Sequence, residues 1–203
     1  MSAARIERLS VPPAECLGAL IAESEAHGLR FVRRLADEWT SGANRFDRPG
    51  EALFAARITG DVVGVCGLNV DPYAADPNVG RVRHLYVLLA HRRCGIGRQL
   101  VAEVIDAARG RFQTLRLSTV NSAAAELYER MGFRRHAGAA GCTHVMEGTM
   151  SITVRAAREA DAAAGCDAIR RSIRELCVAD HGNDEQDYSR IDISSSAKTI
   201  SPS

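Results

Sequence analysis

The chain has 203 residues, 46% of them hydrophobic and 25% charged, with a formal net charge of +1 at pH 7. That length holds one domain of ordinary size and part of another, and the composition suits a globular protein with a sizeable core. A charge balance so near neutrality excludes roles that rest on global charge, such as wrapping nucleic acid or coating an anionic membrane. No run approaches the roughly 18 apolar residues of a membrane-spanning helix, and Met1 to Ser10 lack the apolar core of a secretory leader. The protein is therefore expected to be cytoplasmic, with neither membrane nor nucleic acid as partner. Cys16, Cys66, Cys94, Cys142, Cys166 and Cys177 are scattered without a C-x-x-C pair or histidines at ligand spacing. They are expected to be reduced thiols, with no metal site.

In chain order, Ala4 to Leu9 predicts a first short strand. Ser10, Pro12, Pro13 and Glu15 resemble a helix start, followed by Leu17, Leu20 and Ile21 at helical spacing to about His27. A second helix is predicted from Leu29 to Trp39, with Phe31, Val32, Leu35 and Trp39 on one side. Ala52 to Ile58 and Val62 to Val70 flank Thr59-Gly60-Asp61, a hairpin signal. After a loop from Asp71 to Gly80, Arg81 to Leu89 reads as a strand and Gly97 to Arg109 as a helix striped by Leu100, Val101, Val104, Ile105 and Ala108. A strand from Thr114 to Val120, a helix from Ser122 to Met131 stopped by Gly132, and a strand from Thr143 to Met150 complete a mixed α/β order.

Between Arg81 and Arg98 the chain carries five arginines and two histidines and no acid. Within it, His91-Arg92-Arg93-Cys94-Gly95-Ile96-Gly97-Arg98 places two glycines between a strand and an amphipathic helix. Glycine weakens a helix start unless backbone geometry or a ligand needs it there. A starting helix offers unpaired N–H groups and a positive dipole end, glycines admit close approach, and arginines add charge-assisted hydrogen bonds. These are the parts of a pyrophosphate cradle. A P-loop would need Gly-Lys followed by Ser or Thr, and Gly97 is followed by Arg98 and Gln99. A dinucleotide fingerprint would need glycine at position 100, which is Leu, and early hairpins do not fit a doubly wound sheet.

Arg92-Arg93-Cys94-Gly95-Ile96-Gly97 does resemble motif A of the GNAT acetyltransferase superfamily, an Arg or Gln, two residues, Gly, one residue, then Gly or Ala. His84-Leu85-Tyr86-Val87 looks like that family's fourth strand, and Asn121 to Phe133 looks like its motif B. The resemblance covers roughly residues 4 to 149 and implies a GNAT N-acyltransferase fold with acetyl-CoA as donor and a primary amine as acceptor. It implies that backbone groups around Leu85, Tyr86 and Val87 pair with the pantetheine arm, with the strands splaying at Val87. Arg92, Arg93, Cys94, Gly95, Ile96, Gly97 and Arg98 would hold the pyrophosphate, mainly through backbone N–H groups, and Asn121 would steady the pantetheine.

Tyr128 would sit near the thioester sulfur, where a phenol can protonate the leaving thiolate, so it is the expected catalytic residue; the competing reading is a packing aromatic beside Leu127 and Met131. For the general base, the strand positions expected to face as Leu85 does hold Arg81 and Arg83, and arginine cannot serve at neutral pH. His84 is expected on the opposite face as a core histidine. Asp71, Tyr73 and Asp76 are candidates to line the acceptor site, and the base stays unassigned. Cys94 occupies a position the motif leaves free.

Residues 1–149 are thus expected to form one N-acetyltransferase domain. Ile152 to Asp161 resembles the opening strand and helix cap of another such domain, yet no second glycine cradle follows, and Ser194-Ser195-Ser196 sit in a patternless tail. Residues 150–203 are expected to be an incomplete second copy that packs on the first or extends a homodimer interface. The alternative function is a non-catalytic acyl-CoA-binding regulatory module.

Overall fold

The computed structural model describes residues 3–10, 16–137 and 141–148, together with Arg158, Asp161, Ala162, Cys166 and Asp167. Contacts divide the chain into Met1–Ile152 and Thr153–Ser203. In the second unit the Asp161 carboxylate accepts the Arg158 N–H at 2.8 Å, and the Asp161 N–H donates to the Arg158 carbonyl at 2.9 Å, half of a capping box. The strand expected from Ile152 to Arg155 lies outside the described residues.

In the first unit the elements run β1 (Arg5–Arg8), α1 (Gly18–Ala26), α2 (Phe31–Ser41), β2 (Ala52–Ile58), β3 (Asp61–Val70), β4 (Val79–Val87), α3 (Ile96–Ala108), β5 (Thr114–Leu117), α4 (Ser122–Arg130), β6 (Arg134–Arg135) and β7 (His144–Glu147). A single turn of 3₁₀ helix, Leu89–His91, follows β4. The strands form one seven-stranded sheet in the order β1-β2-β3-β4-β5-β7-β6. Only β4 and β5 run parallel, joined through α3. The predicted strand ending at Val120 stops at Leu117, and β6 had no sequence signal in its two exposed arginines.

Local chemistry explains the main features. Thr59 and Gly60, both at positive φ (51° and 99°), make the two-residue turn that joins β2 to β3, matching the strand twist. β3 is apolar almost throughout because it is central and buried on both faces. On one face, α3 and α4 cover a core that includes Leu100, Val101, Val104, Phe112, Leu115 and Tyr128. Each of the fully buried aliphatic side chains in that stripe contributes about 1.5–3 kcal/mol of burial free energy. On the other, α1 and α2 cover Leu17, Leu20, Val32, Leu35, Phe46 and Tyr86.

Candidate active site

The sheet opens where the parallel pair ends. β4 and β5 are in register only over Val79–Arg81 and Thr114–Arg116, so the ladder stops six residues before Val87, earlier than the splay expected there. Beyond that rung the β4 edge faces no strand among the described residues. Leu88 N–H donates to Val63 O on β3 at 2.9 Å, and because backbone groups alternate, the Val87 carbonyl turns to the opened side. The Arg92 Nε–H donates to that carbonyl at 2.7 Å, with its guanidinium 5.3 Å from the Tyr86 ring centroid.

β4 carries a bulge. Gly67 opposes Arg83 and Val65 opposes Tyr86, so one residue of β3 faces two of β4, His84 and Leu85. His84 takes φ 58° to absorb the extra residue. The bulge shifts the alternation of faces. Val82, Leu85 and Val87 pack on the α3 side, whereas His84 and Tyr86 lie on the α1/α2 side. This corrects the expectation that Arg81 and Arg83 face as Leu85 does, which assumed an unbroken period of two. His84 does lie opposite Leu85, as expected. The Tyr86 side chain is buried, and its hydroxyl donates to Glu23 Oε1 at 2.9 Å; that same oxygen accepts the Leu89 N–H at 3.0 Å. Glu23 of α1 therefore braces the end of β4, a role no local pattern announces. Only the backbone of Tyr86 is left for a ligand.

The glycine segment opens a helix, as its residues suggest. Gly95 caps α3 at φ 81°, a left-handed conformation that favours glycine, and Arg93 sits at φ 63° beside it. The first intrahelical bond runs from Gln99 N–H to Gly95 O at 3.0 Å, so Ile96, Gly97 and Arg98 present the helix's unpaired amides. A Cβ on Gly97 would meet Leu127 at 3.5 Å, ordinary contact, so the protein's own packing does not demand glycine there. Free amides at a helix start are what an approaching phosphate needs. Arg92, Arg93, Cys94 and Arg98 are exposed, whereas the Ile96 side chain is buried and can offer only its N–H. The Cys94 thiol donates weakly to Arg92 O at 3.5 Å.

Tyr128 projects from α4 into the core, its ring edge-on to Phe133 with centroids 5.5 Å apart. Burial, seconded by the Cys66 thiol, raises its pKa well above that of a free phenol. Cys66, itself pushed up to about 12 by burial, lies on β3 at the level of the β4 bulge. Cys66 and Tyr128 belong to one apolar cluster, against which Leu85 packs. Asn121 caps α4 by accepting the Ala124 N–H at 3.0 Å through Oδ1, leaving its Nδ2 to donate.

On the α1/α2 face, Arg81 contacts Asp71 at 3.5 Å, lies 4.8 Å from the Tyr73 ring centroid and donates to Gly141 O at 2.6 Å. Asp71 and Tyr73 thus join this face, while Asp76 bonds back to the Asn78 N–H in its own loop. Arg83 contacts Glu38 at 3.6 Å, and burial lowers its pKa. His84 Nδ1 donates to Phe31 O at 3.0 Å, and burial, with Arg83 and Arg34 nearby, lowers its pKa to about 3. It is neutral when folded and titrates near 6.5 when unfolded, so the unfolded chain binds the extra proton between those values. Stability should fall as pH drops from about 6.5 toward 3, by on the order of 1 kcal/mol per pH unit from this group. Denaturant titrations across that range should show the slope, and His84→Gln should flatten it.

A glycine-capped helix start beside a strand edge opened between parallel neighbours is a framework suited to a phosphate-bearing ligand. A family model described as acetyltransferase (GNAT) family matches residues 19–133. The chain belongs to the GNAT acetyltransferase family. It is 35% identical over 117 residues to a probable N-acetyltransferase camello of Xenopus tropicalis, covering 55% of this chain and 52% of that protein. It is 34% identical over 107 residues to the N-alpha-acetyltransferase RimI of Mycobacterium tuberculosis H37Rv, covering 49% and 63%. The chain thus spans between half and two thirds of these relatives. A crystal structure of a candidate acetyltransferase from Exiguobacterium sp. 255-15 superposes with TM-score 0.64 at 27% identity, over 71% of this chain and 93% of that one. A GNAT-family acetyltransferase from Staphylococcus aureus Mu50 shares the fold at TM-score 0.56 and 17% identity, over 71% and 99%.

Proposed function

We propose that this chain is an N-acetyltransferase that moves an acetyl group from acetyl-CoA to a primary amine by direct attack in a ternary complex. The observation that carries this is the junction of the helix-start amides at Ile96–Arg98 with the opened β4 edge at Val87, which no strand pairs among the described residues; we read the first as the pyrophosphate site and the second as the place of an amide-bearing arm. The amide N–H groups of the cradle and the side chains of Arg93 and Arg98 hold the pyrophosphate. The arm runs along the backbone of Leu85 and Val87, Arg92 yielding its bond to the Val87 carbonyl, and Asn121 Nδ2 donates to it from the α4 side. The neutral amine attacks the thioester carbonyl, a C–N bond forms and the C–S bond breaks. Tyr128, kept protonated by burial, shares its proton with the departing sulfur and regains one from the amine's excess proton by way of solvent.

Within this reading residues 1–149 are the catalytic domain and 150–203 an incomplete second copy. The purified protein should release free thiol from acetyl-CoA in proportion to added amine across a panel of small amines and peptides. Calorimetric binding of acetyl-CoA without thiol release on any amine would instead make the chain an acyl-CoA-binding regulatory module.

A further inference from the structure

The bulge at His84 leaves Arg83 free to turn with His84 toward the α1/α2 side, and the last rung of the parallel ladder sets Arg116 beside Arg81. Paired residues of neighbouring strands share a face. Arg81, Arg83 and Arg116 therefore line the mouth of the β4–β5 opening, with Arg34 of α2 close enough to act on both Arg83 and His84. Two acids answer these four cations. Glu38 contacts Arg34 and Arg83, each at 3.6 Å, and Asp71 contacts Arg81 at 3.5 Å. Arg116 has no ion pair or hydrogen bond among the described residues, and its Nε is buried without an acceptor. Arg81, only 8% exposed, is by contrast engaged: Nη1 faces Asp71 Oδ2 at 3.5 Å and Nη2 donates to Gly141 O. A buried guanidinium donor without an acceptor is costly, and an arriving carboxylate would satisfy Arg116.

We propose that this arginine face recognises a carboxylate on the acceptor, so that the amine acetylated belongs to an acid-bearing molecule such as a short peptide with an acidic side chain. This rests on the N-acetyltransferase reading above. Arg83 and Arg81 lie two and four residues before Leu85, about 7 and 13 Å at the rise of a strand. The anion and the attacking nitrogen are accordingly separated by a span of that order, matching an N-terminal amine and an acidic side chain one to three residues on. Asp71 and Glu38 hold Arg81, Arg83 and Arg34 in place, and Arg116 is left without an acid among the described residues.

The test uses tetrapeptides with Glu at the second or third position and the same peptides with Gln, on the full chain with acetyl-CoA. The Glu peptides should have a kcat/KM at least tenfold higher, and Arg116→Gln should cut that preference at least fivefold. Arg116→Lys, which keeps one donor charge, should retain part of it. Calorimetry of the same peptides on the CoA-loaded protein provides a second readout. A Glu preference in binding that Arg116→Gln removes, with no turnover on any peptide, would leave the anion site standing and overturn the transferase reading. Equal use and equal binding of Glu and Gln peptides, no binding of either, or a preference untouched by both variants, would overturn the proposal.

Discussion

Tyr128→Phe should lower kcat for acetyl transfer by about a hundredfold or more, the usual worth of a positioned acid, while the KM for acetyl-CoA stays near its wild-type value. The ring packs on Phe133 and fills the core beneath β4, and phenylalanine keeps that volume. No hydrogen bond to the hydroxyl is present among the described residues, so its removal leaves no partner stranded. The fold should therefore tolerate the change, and the loss should appear in the chemical step, where the sulfur departs. Because burial raises the Tyr128 pKa, the phenol stays protonated across the neutral and mildly alkaline range. Thiol-release kinetics with a thermal-unfolding control decide the matter: a kcat loss under about tenfold removes Tyr128 from the acid role.

Gly97→Asp should separate folding from function more sharply. Gly97 is in the first turn of α3, and a Cβ there would meet Leu127 at 3.5 Å and Val87 at 4.0 Å, ordinary contacts that need no rearrangement. An aspartate there gains helix propensity and sits at the positive end of the helix dipole, together favourable by about 1 kcal/mol. The same carboxylate would occupy the pyrophosphate's place, and like charges about 4 Å apart near a protein surface repel by about 4 kcal/mol. The variant should melt at or slightly above the wild-type temperature and bind acetyl-CoA at least about a hundredfold more weakly by calorimetry. Unchanged affinity would show that the donor's phosphates lie elsewhere.

The parts of this site that were legible in the sequence are those written in local chemistry. The cradle was visible because glycines at 95 and 97 sit where only a left-handed cap and an open helix start make use of them. The stripe from Leu100 to Ala108 and the turn at Thr59-Gly60 are equally local. The face assignment of Arg81 and Arg83 failed for a physical reason: a bulge costs one residue and a single unusual φ, and histidine in the left-handed region carries no pattern that could announce it. Glu23 escaped because its partners, Tyr86 and Leu89, are more than sixty residues away in sequence. Arg116 stood in plain view between Leu115 and Leu117, on the face opposite their core, but its neighbour Arg81 was set by a parallel pairing that no local signal encodes.

The parallel ladder between β4 and β5 has further meaning for how the molecule yields. Among the described residues, three paired positions join β5, β7 and β6 to the other four strands, with backbone bonds from Gln113 and Thr114 to Asn78 just before them. Elsewhere adjoining main strands are laced over longer stretches, as in the seven paired positions of β2 and β3. The sheet is thus mechanically two plates meeting at a short seam, held flush by the apolar padding beneath α3 and α4. The cleft proposed for the donor lies along this seam, so a guest entering there would part few bonds that the protein had made for itself.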